Sequence, residues 1–241
     1  MKTLSWLDSD PRNLSFPPVS QALDDPPGLI AAGGDLSTAR LIAAYRRGIF
    51  PWYSAGQPVL WWSPDPRAVL FPAEFRLTRS LQKSIRNRDY ETRIDFDFDR
   101  TVAACAAPRA HSEGTWITEE MRAAYVALHR LGHAHSVETW QHERLVGGLY
   151  GVQLGRVYFG ESMFSLATDA SKVALSRLVQ QCLARDIVVI DCQMVTAHLH
   201  SLGARSIARD EFIALLNRHA APGSADAWLD CGAALRHGNK R

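Results

Sequence analysis

Two short apolar runs separated by one amphipathic segment limit the topology of this chain more than any other feature. RVYFG at 156–160 and IVVI at 187–190 both have strand character, and residues 171–185 between them repeat apolar side chains at helical spacing. Val173, Leu175, Leu178, Val179, Cys182 and Leu183 form one stripe of that segment. A strand, a helix and a second strand in this order predict a parallel pair joined by a right-handed crossover.

Just upstream, HSVETW, LVGGLYGVQ and RVYFGES follow one another across short turns at QHE and LG, the pattern of an antiparallel meander. A meander feeding a parallel βαβ unit predicts an α+β domain with a mixed sheet, resembling the acetyltransferase-like fold. Earlier helices are expected at 38–47, with Ser37 as N-cap and Gly48 as terminator, at 78–88, and at 118–131 ending at Gly132. The stretch 1–35 is rich in Pro, Gly and Asp, but Trp6, Leu14, Phe16, Leu29 and Ile30 are interspersed, so ordered irregular structure is expected there. These breaks divide the chain into a small N-terminal domain, 1–64, and a larger catalytic domain, 65–241.

Charge narrows the partners less than topology does. Lys+Arg 27 against Asp+Glu 25 leaves a net charge of +2, so a nucleic-acid partner must be argued from local clusters. No apolar run reaches the ~20 residues of a membrane span. Asp8 and Asp10 stand where a signal peptide needs its apolar region, and Cys105, Cys182, Cys192 and Cys231 form no CxxC pair. Reduced thiols in a cytoplasm are the simplest account.

The polar end of the second apolar run is the first candidate site. In VVIDCQM a core strand delivers Asp191 and Gln193, which alternation places on one side, with Cys192 on the other. Cys192 then packs as a small hydrophobe under the site rather than serving as a nucleophile for His198 or His200. Glu161, in YFGESMF, ends the other strand of the pair. Ligands of open α/β sheets gather at strand C-terminal ends, so two carboxylates converge where a substrate would sit; capping of backbone N–H groups is the competing explanation.

Three further sets admit two readings each. On the 78–88 helix Leu77, Leu81 and Ile85 form an apolar face and Arg79, Lys83 and Arg86 the opposite one, either a solvated stripe or a contact for a phosphate backbone. Trp61 and Trp62 suit a core or domain interface, whereas Trp52 and Trp116 lie in loop-like contexts where an indole can stack a base, worth ~1–3 kcal/mol. His129 and His133 have i, i+4 spacing, but Gly132 intervenes and no Cys or Asp cluster lies near them or His135 in sequence, so no metal is expected.

GLIAAGGDLSTARLIAAYRRGIFPWYS, LWWSPDPRAVL, EGTWIT, LGHAHSVETW, LVGGLYGV, FGESMFS, ASKVAL and IDCQM, in this order, closely resemble the leucyl/phenylalanyl-tRNA–protein transferases, over roughly residues 15–215. The resemblance implies transfer of Leu or Phe, and less well Met, from aminoacyl-tRNA to a protein beginning with Arg or Lys, creating a bacterial N-degron. It implies no cofactor and no membrane partner, and nothing points to an obligate dimer, so a monomer is expected. By that resemblance Trp52 and Trp116 contact the terminal adenosine, and Leu149, Met163 and Leu178 line the pocket for the transferred side chain, with Glu161 at its mouth. Asp191 and Gln193 are the catalytic pair, and Arg79, Lys83 and Arg86 belong to the tRNA-binding patch.

Chemically, the aminoacyl ester is already activated, so catalysis leans on holding the acceptor amine in attack geometry. Asp191 is expected to attract the cationic acceptor and take its proton, with Gln193 orienting amine or ester. The alternative leaves proton transfer to the terminal ribose hydroxyl. One rival reading is an acyl-CoA N-acetyltransferase on the same fold, but the glycine-containing pyrophosphate loop is missing from ESMFSLATDASK. A second rival, a non-catalytic tRNA-binding module, needs the basic face but not the carboxylate convergence.

Overall fold

The computed structural model describes residues 2–107, 115–220 and Trp228; Cys231 and the rest of the tail lie outside the described residues. Its first part is a four-stranded sheet of order β1-β2-β4-β3, built from β1 (Ser5–Leu7), β2 (Leu29–Gly33), β3 (Phe50–Pro51) and β4 (Leu60–Trp62), with α1 (Thr38–Tyr45) between β2 and β3. The Ser37 hydroxyl accepts the Arg40 N–H at 3.3 Å and opens α1 as expected of an N-cap. Trp61 is fully buried and donates its indole N–H to the Gly33 carbonyl at 2.9 Å.

The larger sheet carries the expected meander and parallel pair. Its elements are β5 (Arg67–Leu70), α2 (Arg79–Asn87), β6 (Glu91–Ile94), α3 (Phe98–Ala106), α4 (Glu119–Arg130), β7 (Ala134–Gln141), β8 (Arg144–Leu154), β9 (Val157–Ser165), α5 (Ala170–Ala184), β10 (Val189–Gln193), α6 (Ala197–Ser201), β11 (Arg205–Ile207) and α7 (Arg209–His219). Seven strands take the order β11-β5-β10-β9-β8-β7-β6. β9 and β10 run parallel with Ile190 beside Tyr158, and the other pairings of this sheet are antiparallel. This is the α+β architecture with a mixed sheet that the apolar pattern called for.

Helices cover both faces of the sheet. Tyr150, Val152, Phe159 and Val189 pack with Phe98, Val102, Met121 and Tyr125 of α3 and α4, and this core continues into Tyr45, Phe50 and Trp61. Leu149, Tyr158 and Ile190 pack on the opposite face against Val173, Leu175 and Leu178 of α5. Leu183, read as part of that stripe, is instead 53% exposed. With both faces covered, β7 buries even its polar residues, and Glu138 meets this by accepting hydrogen bonds from Asp97 N, Ser136 Oγ and Trp140 Nε1 at 2.8–2.9 Å.

Two interruptions of the ladder matter most. On β9 the register steps from Ser162 opposite Tyr150 to Gly160 opposite Gly151, leaving Glu161 as the extra residue of a bulge. On β10 it steps from Asp191 opposite Val69 to Gln193 opposite Ala68, passing over Cys192. Beside the first bulge, a Cβ on Gly151 would stand 2.1 Å from the Phe159 carbonyl oxygen and 2.6 Å from the Tyr158 ring. Backbone and a buried ring cannot step aside there. Gly151→Ala is therefore expected to cost about 1–3 kcal/mol, read as a lower urea midpoint at unchanged slope. An unchanged midpoint would mean that the bulge does not depend on that glycine.

Candidate active site

The C-terminal ends of β9 and β10 open onto two adjoining cavities. The smaller, about 130 Å³, has walls of Leu149, Met163, Leu175, Leu178 and Ile190. The larger, about 290 Å³, is flanked by Trp52 and Trp116, with Leu199 of α6 and Thr196, the N-cap of that helix, on another side. Glu161, Ser162, Met163, Cys192, Gln193 and Leu199 belong to both. The candidates read from spacing and resemblance thus meet here, apart from the α2 cations.

The β9 bulge sorts its side chains. Phe159 and Phe164 pack into the same core although they are five positions apart, an odd spacing that alternation would send to opposite faces, and Met163 joins the opposite core. The extra residue thus turns Glu161 toward α1 and α4 while Met163 faces the apolar cavity. Glu161 accepts a hydrogen bond from Tyr45 Oη at 2.8 Å and another from Tyr125 Oη at 2.6 Å, and these two hydroxyl oxygens lie 2.9 Å apart. Burial raises its carboxyl from the ordinary 4.5 to about 7, with the Asp191 charge adding to the rise and the two hydroxyls and Arg67 opposing it.

Asp191 lies differently from the sequence-based expectation. Its carboxylate is fully buried, and Arg67 grips it with Nε on Oδ1 at 2.8 Å and Nη2 on Oδ2 at 2.7 Å. Oδ1 also accepts the Gln193 N–H at 3.0 Å. The guanidinium donates its third arm to the Gly48 carbonyl at 3.1 Å and sits 4.8 Å from the ring centres of both Phe50 and Phe212. With three hydrogen bonds and no exposed surface, this carboxylate is engaged within the protein. It holds the next turn of chain.

That turn departs from strand alternation. Gln193 has φ of 55°, and the bulge places both Cys192 and Gln193 on the cavity walls, so Cys192 is not turned away from the site as alternation required. Burial, together with the Asp191 charge, pushes its thiol up to about 12, which leaves it protonated and a poor nucleophile. The Gln193 Nε2 is buried with no hydrogen-bond partner among the described residues. An unspent amide donor therefore stands at the wall shared by the cavities.

Around this centre, Trp62 donates to the Trp52 carbonyl at 2.7 Å, leaving the Trp52 ring 39% exposed at the rim. Arg79, Lys83 and Arg86 are exposed on α2. That helix is tied to the start of α5 by Ser84 Oγ donating to Asp169 Oδ2 at 2.7 Å, with Lys172 on Asp169 Oδ1 at 2.9 Å. The histidine reading needs one correction: Asp95 does lie beside His129 and His135, their ligand-type atoms falling within 4.8 Å of one another. His135 Nδ1 is 2.7 Å from Asp95 Oδ2 and His129 Nδ1 is 2.8 Å from the Ala134 carbonyl, so both ring nitrogens already have acceptors. His133 is not part of this group.

Arg67, Tyr45, Tyr125, Leu175 and Leu199 were absent from the sequence-based expectations for the site. Arg67 left a trace, a cation inside the apolar run RAVL. The tyrosines left only their places on apolar helix faces. Arg67→Met is expected to destabilise the fold by about 3–5 kcal/mol in urea unfolding, because Asp191 is left buried without its counter-charge. Adding Asp191→Leu should recover much of that loss; a double variant no more stable than the single one would deny the pair this role.

Residues 69–217 match the leucyl/phenylalanyl-tRNA protein transferase family, and residues 34–65 match that family's N-terminal domain. The leucyl/phenylalanyl-tRNA–protein transferase of Pseudomonas entomophila (strain L48) is 57% identical over 94% of this chain and 99% of its own length. That of Azoarcus sp. (strain BH72) is 58% identical over 96% and 97%. Among solved structures, a GCN5-related N-acetyltransferase from Kribbella flavida aligns over 69% of this chain and 59% of its own, with a TM-score of 0.41 and 9% identity, a likeness too weak to build on. The two matched stretches, 34–65 and 69–217, include the whole cavity lining, and on them and these relatives this chain belongs to the leucyl/phenylalanyl-tRNA–protein transferase family, a family of aminoacyl-transferring enzymes.

Proposed function

We propose that the chain transfers leucine or phenylalanine, and methionine less well, from aminoacyl-tRNA to the N-terminal Arg or Lys of an acceptor protein. The modified protein then carries an N-degron. One observation carries this reading: a small apolar cavity and a larger tryptophan-flanked one share a wall bearing Glu161 and the unspent Gln193 amide. An aminoacyl-adenosine has the same two halves, an apolar side chain and a stacking base, joined at the reacting ester. The reading includes a cytoplasmic monomer and two domains meeting near residues 64 and 65. Among the described residues no helix is long and apolar enough to cross a membrane.

In this reading Leu149, Met163 and Leu178 surround the transferred side chain, and Trp52 and Trp116 hold the terminal adenosine. Gln193 is the group that orients the ester or the acceptor amine by hydrogen bonds. Asp191 is a positioning residue, acting through the Gln193 N–H rather than as a base. The chemistry asks little more than placement, since the ester is activated and effective concentration lowers the barrier. Arg79, Lys83 and Arg86 hold the tRNA body through phosphates, without reading its sequence.

An apolar pocket separates substrates by shape, at ~1–3 kcal/mol per methylene. With the full chain, transfer of radiolabelled Leu from charged tRNA to an Arg-starting peptide is expected, with β-branched Ile about tenfold poorer or worse. Ile transferred as well as Leu would overturn the pocket assignment, and absence of transfer would overturn the function.

Replacing Lys83 and Arg86 together with Ala should weaken tRNA binding and lower its log–log salt slope by about one for each phosphate no longer neutralised. An unchanged slope would remove α2 from the interface.

A further inference from the structure

We propose that Glu161, closed into a ring of four oxygens with Tyr45 and Tyr125, is the group that takes the proton of the acceptor ammonium. The inference rests on the transferase reading above and names a residue that reading left without a chemical step. Its ground is a count of protons. The ring has three contacts, Glu161 Oε1 to Tyr45 Oη, Glu161 Oε2 to Tyr125 Oη, and Tyr45 Oη to Tyr125 Oη, at 2.8, 2.6 and 2.9 Å. All are within hydrogen-bond distance.

With an ionised carboxylate the ring holds two protons, those of the hydroxyls, for three contacts. If both serve the carboxylate, two phenolic oxygens face each other at 2.9 Å with no proton between them. A third proton completes the ring. Glu161 then donates to Tyr45, Tyr45 to Tyr125, and Tyr125 to the other Glu161 oxygen. Hydroxyl rotation is enough to pass between the two states. The ring therefore receives a proton without moving a heavy atom.

Position supports the same role. Glu161 is the bulged residue of β9 and lines both cavities, so it borders the place assigned to the ester. Groups bearing on it are Tyr45 from α1, Tyr125 from α4, Tyr150 from β8, Tyr158 from β9, Arg67 from β5, and Asp191 and Cys192 from β10. Arg67 and Asp191 neutralise each other, and the tyrosines and Cys192 remain protonated near neutrality because burial raises them all. Glu161 is thus the group of this set that changes charge near pH 7, close to the ~7.7–8.0 of an α-amine, where proton exchange between the two is nearly balanced.

The step balances. The acceptor ammonium gives one proton to the Glu161 carboxylate, and the freed amine forms the C–N bond to the ester carbonyl carbon. The nitrogen of the tetrahedral intermediate loses a second proton as the C–O bond breaks, and the departing ribose oxygen leaves as a hydroxyl with that proton. Glu161 then releases its own proton to water. Tyr45 and Tyr125 are positioning residues.

The test uses the full chain labelled with carboxyl-¹³C glutamate, with the Glu161 resonance assigned by its loss in Glu161→Gln. Its titration midpoint is expected near 7. It should rise in Tyr45→Phe and in Tyr125→Phe, since each hydroxyl favours the charged form. In single-turnover Phe transfer to an Arg-starting peptide, the acid limb should rise with it, the rate well below the midpoint falling about tenfold for each pH unit of the rise. Glu161→Gln should be slower, with its acid limb moved to the amine's own range of ~7.7–8.0 and no longer responsive to Tyr45→Phe or Tyr125→Phe.

A midpoint in the ordinary glutamate range of ~4.3, or one unmoved by both tyrosine changes, would overturn the inference alone if transfer proceeds normally. So would a rate and an acid limb in Glu161→Gln that both match those of the unaltered chain. Absence of transfer at every pH would instead overturn the proposed function, and the proton step with it.

Discussion

The buried pair of Arg67 and Asp191 is the constraint on which the rest of the site depends. Its members lie 124 residues apart, and both are inaccessible to solvent. A lone charge in such a place would be strongly disfavoured, so the pair forms only when β5 and β10 are correctly docked. Through one guanidinium the contact also reaches the Gly48 carbonyl and the faces of Phe50 and Phe212. The segment before the small sheet's third strand, the centre of the large sheet and the last helix are therefore tied at one point. The Gln193 N–H on Asp191 Oδ1 carries that order to the cavity wall.

Around this anchor the ladder is broken where the chemistry requires it. Regular strands present side chains alternately to two faces, which would place Glu161 and Met163 together and Cys192 apart from Gln193. The bulges undo both relations. Glu161 meets the tyrosine hydroxyls on one face, Met163 the apolar cavity on the other, and Cys192 and Gln193 share the walls of both cavities. Gly151 leaves room for the first bulge because a side chain there would strike the Phe159 carbonyl.

Much of the fold was legible along the chain. The βαβ crossover follows from two apolar runs and a helical stripe, and the capped start of α1 follows from Ser37; Thr78 and Thr118, expected as the first residues of their helices, are instead the N-caps of α2 and α4. The small sheet, whose β1 and β2 fall in the stretch expected to be irregular, was not anticipated, nor were α6, β11 and α7, nor β5, β6 and α3. β5 and β6 are four residues each, too short for alternation to mark, and α3 carries its apolar contacts in a nine-residue helix. The expected apolar stripe of α5 overreached at Leu183, because helical spacing defines a face but not where the neighbouring sheet stops.

For the site, residue types, spacing and the family's motifs brought together Trp52, Trp116, Leu149, Glu161, Met163, Leu178 and Gln193, because they lie near the ends of elements that the pattern already ordered. The order of those elements and the family were determined by the sequence itself, since periodicity and long motifs are properties of neighbours along the chain. What only the tertiary structure decided is which way the polar groups face and what they meet. Asp191 is engaged by Arg67, Glu161 by Tyr45 and Tyr125, and His135 by Asp95, all contacts across 40 or more residues except Tyr125, at 36. Such contacts are set by strand register and by a one-residue bulge, and shifting either by one position reverses a side chain's face.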